Sequence, residues 1–323
     1  MSLKSLLGSF KVFLAPMAGV TDYPFRQIAR KFGHVIVCSE MIASRAVLEA
    51  LKNNKVRRRL HFFDATREAP PVSLQLVGYD PYIMAEAAKF NEQLGASIID
   101  INMGCPVKKV VNTEAGAALM KNELLAGKII EAVAKAVSAP VTVKMRLGWD
   151  SKSINASTLA KIAESAGAQG VIVHGRTRAQ FYEGKADWLE IRRVKESVSI
   201  PVIGNGDILS AADAKERLEA SGVNTVMIGR GALGRPWICG EVQRRLDCDA
   251  TVVSTYNGVV LQHLRLMIEE YGKERGVLMA RKHLSWYSRE MPGAAHFRNT
   301  VNSLRDYDEL LRVTEEFFGL HGV

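Results

Sequence analysis

A chain of 323 residues, 47% of them hydrophobic and 24% charged, is apolar enough to build a core and long enough for one large domain with an appendage, which excludes a disordered protein. No stretch approaches the ~18 consecutive apolar residues of a membrane span, and polar residues break up the N-terminal leucines short of a signal peptide's apolar run, so a cytoplasmic protein without membrane contact is expected. The net charge of +9 points to a polyanionic partner, while the four cysteines, Cys38, Cys105, Cys239 and Cys248, lack C-x-x-C spacing and read as free thiols, with no disulfide framework and no metal site.

In chain order, short apolar runs recur: KVFLAP (11–16), VIVCSE (35–40), PVSLQLVG (71–78), SIIDIN (97–102), PVTVKMR (140–146), GVIVHG (170–175), IPVIGNG (200–206) and TVMIGRG (225–231). Runs this short and continuous suit strands buried on both faces of a parallel sheet. Between them lie helical patterns such as PYIMAEAAKFNEQLGA (81–96) and INASTLAKIAESAGA (154–168), each ending near a glycine suited to a C-cap. Strands alternating with helices in this number predict an α/β fold, a (β/α)8 TIM barrel. A doubly wound open sheet would need neither eight evenly spaced strands nor polar residues at every strand's C-terminal end.

Those polar residues carry the chemistry. Pro16-Met17-Ala18, Glu40, Gln75, Asn102 with Cys105, Lys144 with Arg146, His174 with Arg176, Asn205-Gly206-Asp207 and Gly229-Arg230-Gly231 stand at successive strand ends, which in a barrel meet at one mouth. A lone Gln or His there is more often a satisfied structural residue. Eight converging sets are harder to explain as packing. The loops after the last two strands are glycine-rich and lead into helices, so bare backbone N–H groups and a helix N-terminus read as a phosphate site, with Arg230 as an added charge. Lys144 has two competing uses: a Schiff base, as in barrel aldolases, or a protonated lysine beside the N1 of a reduced flavin. Gln75 and Asn102 can bond the carbonyl and N–H groups of a flat ring, with Met17 against its surface. Flavin mononucleotide (FMN) accommodates all these parts.

The stretch DINMGCPVKKV (100–110) places a thiol on the loop after the fourth strand, between a glycine that lets the backbone turn and a proline that stops further pairing. Cys105 reads there as a proton donor, with nucleophilic use the alternative; Cys38, inside the second strand, reads as packing. The charge is unevenly spread. Residues 1–240 carry a net +10 and residues 241–323 a net −1, yet 273–305 holds seven basic residues against Glu274 and Glu290, with Trp286, Tyr287, His296 and Phe297 interleaved. That mixture suits a phosphate backbone with exposed bases as well as a solvated helix face. A second basic run, KNNKVRRR (52–59), carries five basic residues and no acid.

The stretches APMAGVTDYPFR (15–26), SLQLVG (73–78), DINMGCPVKKV (100–110), VTVKMRLGW (141–149), VIVHGRTRAQFYEG (171–184), PVIGNGDI (201–208) and VMIGRGALGRPWI (226–238) resemble the flavin-dependent tRNA-dihydrouridine synthases, most of all their bacterial B-type branch. The likeness implies an FMN-binding catalytic barrel over 1–240 and a small helical domain over 241–323 that helps grip tRNA. It matches Pro16, Met17, Ala18, Gln75, Lys144, His174, Asn205, Gly206, Asp207, Gly229 and Arg230 to flavin-contacting positions and Cys105 to the catalytic acid. NADPH is the implied electron donor. Arg176, Arg178, Arg281, Lys282 and Arg298 are candidates for RNA contact, and a monomer without a protein partner is expected. Two other functions compete: an FMN barrel reducing a free pyrimidine, which would not need the basic segment 273–305, and a non-catalytic RNA-binding protein, which would leave Cys105 idle.

Overall fold

The computed structural model describes residues 2–52, 64–249 and 258–320; the basic run 52–59, apart from the backbone of Lys52, lies outside the described residues. All eight apolar runs form strands: β1 (Val12–Leu14), β2 (Ile36–Ala43), β3 (Val72–Val77), β4 (Ile98–Met103), β5 (Val141–Arg146), β6 (Gly170–His174), β7 (Val202–Asn205) and β8 (Thr225–Ile228). Each pairs in parallel with the next, and β8 returns to β1 to close the barrel. The expected TIM barrel is present. Strand β8 stops short of the predicted 231 because Gly229-Arg230-Gly231 leaves the ladder for a 3-10 turn over Arg230–Ala232.

Helix α1 (Leu3–Ser9) precedes the barrel, and α2 (Tyr23–Arg30) and α3 (Ser44–Lys52) follow β1 and β2. Next come α4 (Pro81–Gln93), the short α5 (Lys108–Val111), α6 (Glu123–Ala136), α7 (Ala156–Ser165), α8 (Trp188–Ser197), α9 (Ala211–Ser221) and α10 (Ile238–Leu246). Local chemistry sets their ends. Asp22 and Asp80 cap α2 and α4 by accepting from the N–H groups of Phe25 at 3.0 Å and Ile83 at 2.9 Å. Past α4 and α7, Gly95 (φ 86°) and Gly167 (φ 97°) take the left-handed turn anticipated from the sequence.

Side chains along each strand alternate between the helix layer and the barrel interior. The interior changes character along its axis. Phe13, Ile36, Cys38, Ile98, Ile172, Ile203 and Met227 form an apolar cluster with Leu3 and Leu6 of α1, which seal the end of the barrel away from the mouth. Toward the strands' C-terminal ends the inward positions turn polar: Asp100 then Asn102, Thr142 then Lys144, His174 after Ile172, Asn205 after Ile203.

The remaining helices, α11 (Val259–Tyr271), α12 (Lys273–Tyr287), α13 (Ala294–Ser303) and α14 (Tyr307–Leu320), share a second apolar core with Ile28 and Phe32 at the end of α2. Polar links fasten them to the barrel: the Tyr271 hydroxyl donates to Asp22 at 2.8 Å, Arg67 pairs with Glu270 at 2.6 Å, and the Lys282 ammonium donates to the Gly19 carbonyl. The anticipated division at 240/241 falls inside α10. Ile238, Cys239 and Val242 of that helix belong to the main barrel core, so the barrel's own helix runs on to Leu246.

Candidate active site

A cavity of about 800 Å³ opens at the C-terminal ends of the strands. Its lining carries four cationic side chains, Lys144, Arg146, Arg230 and Arg289, against one carboxylate, Asp207. An anionic ligand fits that balance.

The Cys105 loop is held from its backbone. Asn102, the last inward residue of β4, turns its Oδ1 to accept from the N–H groups of Gly104 at 3.1 Å and Cys105 at 2.9 Å. On the other side the Cys105 carbonyl accepts from Ala117 N–H at 3.1 Å, beside Gly116, whose φ of 61° and tight surroundings exclude a side chain: a Cβ there would stand 2.9 Å from that carbonyl. Arg146 of β5 joins this loop to the one after β6, donating to Gly104 O at 2.9 Å and to Thr177 O and Phe181 O at 2.8 Å. Burial raises the pKa of the Cys105 thiol, against the lowering influence of the Val107 N–H, Arg146 and Lys144. The thiol is therefore protonated at neutral pH.

Lys144 and His174 occupy neighbouring inward positions of β5 and β6. The Lys144 ammonium lies 3.3 Å from Asn205 Oδ1, whose amide nitrogen donates to Met227 O at 2.8 Å and so fixes which way the amide faces. Burial and the Arg146 guanidinium lower the lysine's pKa to about 8. For His174, burial together with Lys144, Arg146, Arg176 and Arg230 drives the pKa well below 6.5, which leaves a neutral imidazole.

The loops after β7 and β8 supply the polar end of the cavity. Asp207 adopts φ 50°, an unusual backbone for a non-glycine residue. It is locked there by Arg176 at 2.8 Å to both oxygens and by Ala186 N–H at 2.7 Å. Burial opposes its ionisation, but the Ala186 N–H, Arg176 and Arg230 prevail and hold its pKa below the usual value. Gly206 (φ 135°) has no room for a Cβ, which would meet that of Ala186 at 2.5 Å. At the β7 loop Ser210 caps α9 and the Asp213 carboxylate takes Leu209 N–H at 2.9 Å, while Gly206, Asp207, Ile208 and Leu209 line the cavity. Gly229, Arg230 and Gly231 line the same end of the cavity, with the Arg230 guanidinium over the Tyr182 ring at 4.7 Å. A flat, singly phosphorylated anion such as FMN fits this set: uncrowded backbone at the polar end, ammonium and amide groups midway, and Pro16, Met17 and Ala18 along one wall.

A family model described as Dihydrouridine synthase (Dus) matches residues 13–319. The chain belongs to the dihydrouridine synthase family. It is 50% identical over 302 residues to a "Probable tRNA-dihydrouridine synthase" of Rickettsia bellii, covering 92% of this chain and 91% of that one. It is 46% identical over 312 residues to "tRNA-dihydrouridine synthase B" of Pseudomonas aeruginosa, covering 95% and 92%. The resemblance to the B-type branch of the synthases is thus borne out across nearly the whole chain.

In this dihydrouridine synthase fold, Pro16, Met17, Ala18, Asn102, Cys105, Lys144, His174, Asn205, Gly206, Asp207, Gly229 and Arg230 all line the one cavity. Gln75 stands behind it. It is fully buried, its amide shared between Asp100 and Asn102. Arg176, anticipated at the RNA, is a buried strut, only 2% exposed, between Asp207 and the carbonyls of Glu183 and Gly184. Arg178 stacks on Trp149 and Phe181. On the C-terminal helices, Arg281 donates to Leu304 O and Lys282 to Gly19 O, while Arg298 is half-buried on α13. Three polar side chains of the cavity were missed as site residues. Tyr182 and Arg289 lie on loops with no periodic signal, and Arg146 was legible only as a strand-end cation.

Proposed function

We propose that this protein is a tRNA-dihydrouridine synthase which binds FMN in the barrel mouth, accepts electrons from NADPH and saturates the 5,6-double bond of a uridine turned out of tRNA. The observation that carries the reading is a protonated thiol, Cys105, fixed by its backbone on the wall of a cavity dominated by cations. The printed names of the relatives support tRNA as the substrate. Bound FMN, once reduced, supplies hydride chemistry at C6 of the uracil.

The chain's own residues do the rest. Cys105 would deliver a proton to C5 and regain one from solvent. Lys144 brings positive charge to the ring edge, and with a pKa of about 8 it is mostly protonated at pH 7. Neutral His174 bonds the ligand without adding charge. Gly229, Arg230 and Gly231 hold the phosphate, while Asp207 and Arg176 keep that rim in place. The barrel, through Leu246, is the catalytic part, and the helices from Val259 onward grip the RNA, repaying the few kcal/mol that extrusion of a base costs.

The test pairs cofactor and acid. Purified protein releases FMN on denaturation, and Cys105→Ser keeps its flavin and its reduction by NADPH. Product formation in a single anaerobic turnover with tRNA then falls by about 10²–10⁴, the range for loss of a general acid. Normal reoxidation with dihydrouridine appearing in the RNA would overturn the role of Cys105. Turnover of free uracil without RNA would replace the substrate assignment by the free-pyrimidine reductase.

A further inference from the structure

Beneath the cavity floor lies a buried carboxylate that the chemistry above does not use. Asp100 of β4 is fully enclosed and accepts from Thr142 Oγ1 at 2.6 Å and from Gln75 Nε2 at 2.6 Å. Gln75 Oε1 accepts in turn from Asn102 Nδ2 at 2.7 Å, and Asn102 Oδ1 takes the N–H groups of Gly104 and Cys105. Every amide in this chain could face either way but for its neighbour, because an amide offers a donor and an acceptor on interchangeable sides. An ionised carboxylate only accepts. It forces Gln75 to present its NH2 group, which leaves the Gln75 carbonyl for Asn102 and the Asn102 carbonyl for the loop.

We infer that Asp100 is a positioning residue for Cys105: acting through Gln75 and Asn102, it fixes the direction of a hydrogen-bond chain that ends on the cysteine's own backbone. Reversal of that chain would set the Asn102 NH2 group against two N–H donors, and the loop would have to move. The inference deepens the reading of Cys105 as proton donor and rests on it only for its effect on turnover. Around Asp100 stand the Thr142 hydroxyl, the Gln75 amide, the Lys144 ammonium and the Cys38 thiol. Protonation of Asp100 gives it a donor and removes the constraint.

The experiment compares wild-type protein with Asp100→Asn, whose side chain both donates and accepts, and with Gln75→Met, which cuts the chain but leaves Asp100. The first readout is alkylation of Cys105 by iodoacetamide in FMN-free protein, mapped by peptide mass spectrometry against exposed Cys248 as internal control. It needs no turnover. Either variant changes the Cys105 rate at least about threefold while Cys248 stays constant, and combining them adds little, since both break the same chain. The second readout is kcat: Asp100→Asn lowers it about tenfold or more with KM for tRNA within about twofold, and removes the acid limb of the wild-type kcat profile. Unchanged alkylation in Gln75→Met, or in a folded Asp100→Asn, would overturn the positioning role. A shifted alkylation rate in protein whose Cys105→Ser variant still forms product would keep the positioning and defeat the proton-donor reading.

Discussion

Asp22 caps the first turn of α2 with one carboxylate oxygen and takes the Tyr271 hydroxyl with the other, and burial pushes its pKa up from 3.8 to about 6. The folded protein therefore holds this proton more tightly than the unfolded chain, so the charged form weighs against stability above pH 6 and the penalty is relieved as pH falls toward 4. The stability of wild-type protein relative to Asp22→Asn should rise over that interval by at most about 3 kcal/mol, read from urea midpoints at several pH values. Arg26 and Glu68 form a pair at 2.5 Å with both side chains buried. Removing one partner leaves the other charge uncompensated, so Glu68→Gln should cost about 3–5 kcal/mol in the same assay. At this scale the sequence is least legible. Arg176 and Arg230 are the same residue type at the ends of β6 and β8, yet one is enclosed and the other half exposed, a difference set by the acceptors that the loops between them bring.

Elements were far easier to read. Parallel strands buried on both faces leave continuous apolar runs whatever the loops do, and all eight were found with ends shifted by a few residues. The β7 loop reads from sequence only as glycine followed by a helix, and the Ser210 cap of that helix emerges from the fold. Helix α1 left only a faint trace, three leucines in nine residues, though it fills the bottom of the barrel. Gly170 makes the room, since a Cβ there would stand 2.5 Å from Leu3 Cδ2. Leu3→Ala should therefore cost about 2–5 kcal/mol in urea, the range for a buried leucine, while FMN content at the far end stays normal. Loss of flavin at unchanged stability would mean that α1 shapes the site instead.

For the whole molecule, composition forecast a basic partner surface without saying which cations face outward. Arg281 and Lys282 spend their charged groups on backbone carbonyls of α13's exit and of the β1 loop, whereas Arg289, past the end of α12, reaches the cavity rim. Charge removal at Arg289 and Arg298 together should flatten the salt dependence of tRNA binding by about two units, one per lost phosphate contact. Arg281→Ala should leave the slope alone and act on stability. An unchanged slope in the double variant would move the RNA to the barrel's own basic residues.

The seal that Leu3 and Leu6 make at the bottom of the barrel has a kinetic meaning. On the function proposed above, a dinucleotide and an RNA loop would both enter the cavity from the mouth, since the described residues close its other end. On that reading the two reactants take turns, so initial-rate lines at different NADPH concentrations should run parallel in double-reciprocal form, and an excess of either reactant should slow the other by standing in its way. On that proposed function the protein keeps time by who is at the mouth: a cell short of unmodified tRNA would leave it reduced and waiting, and a cell short of NADPH would leave its RNA bound to an oxidised protein that can do nothing with it.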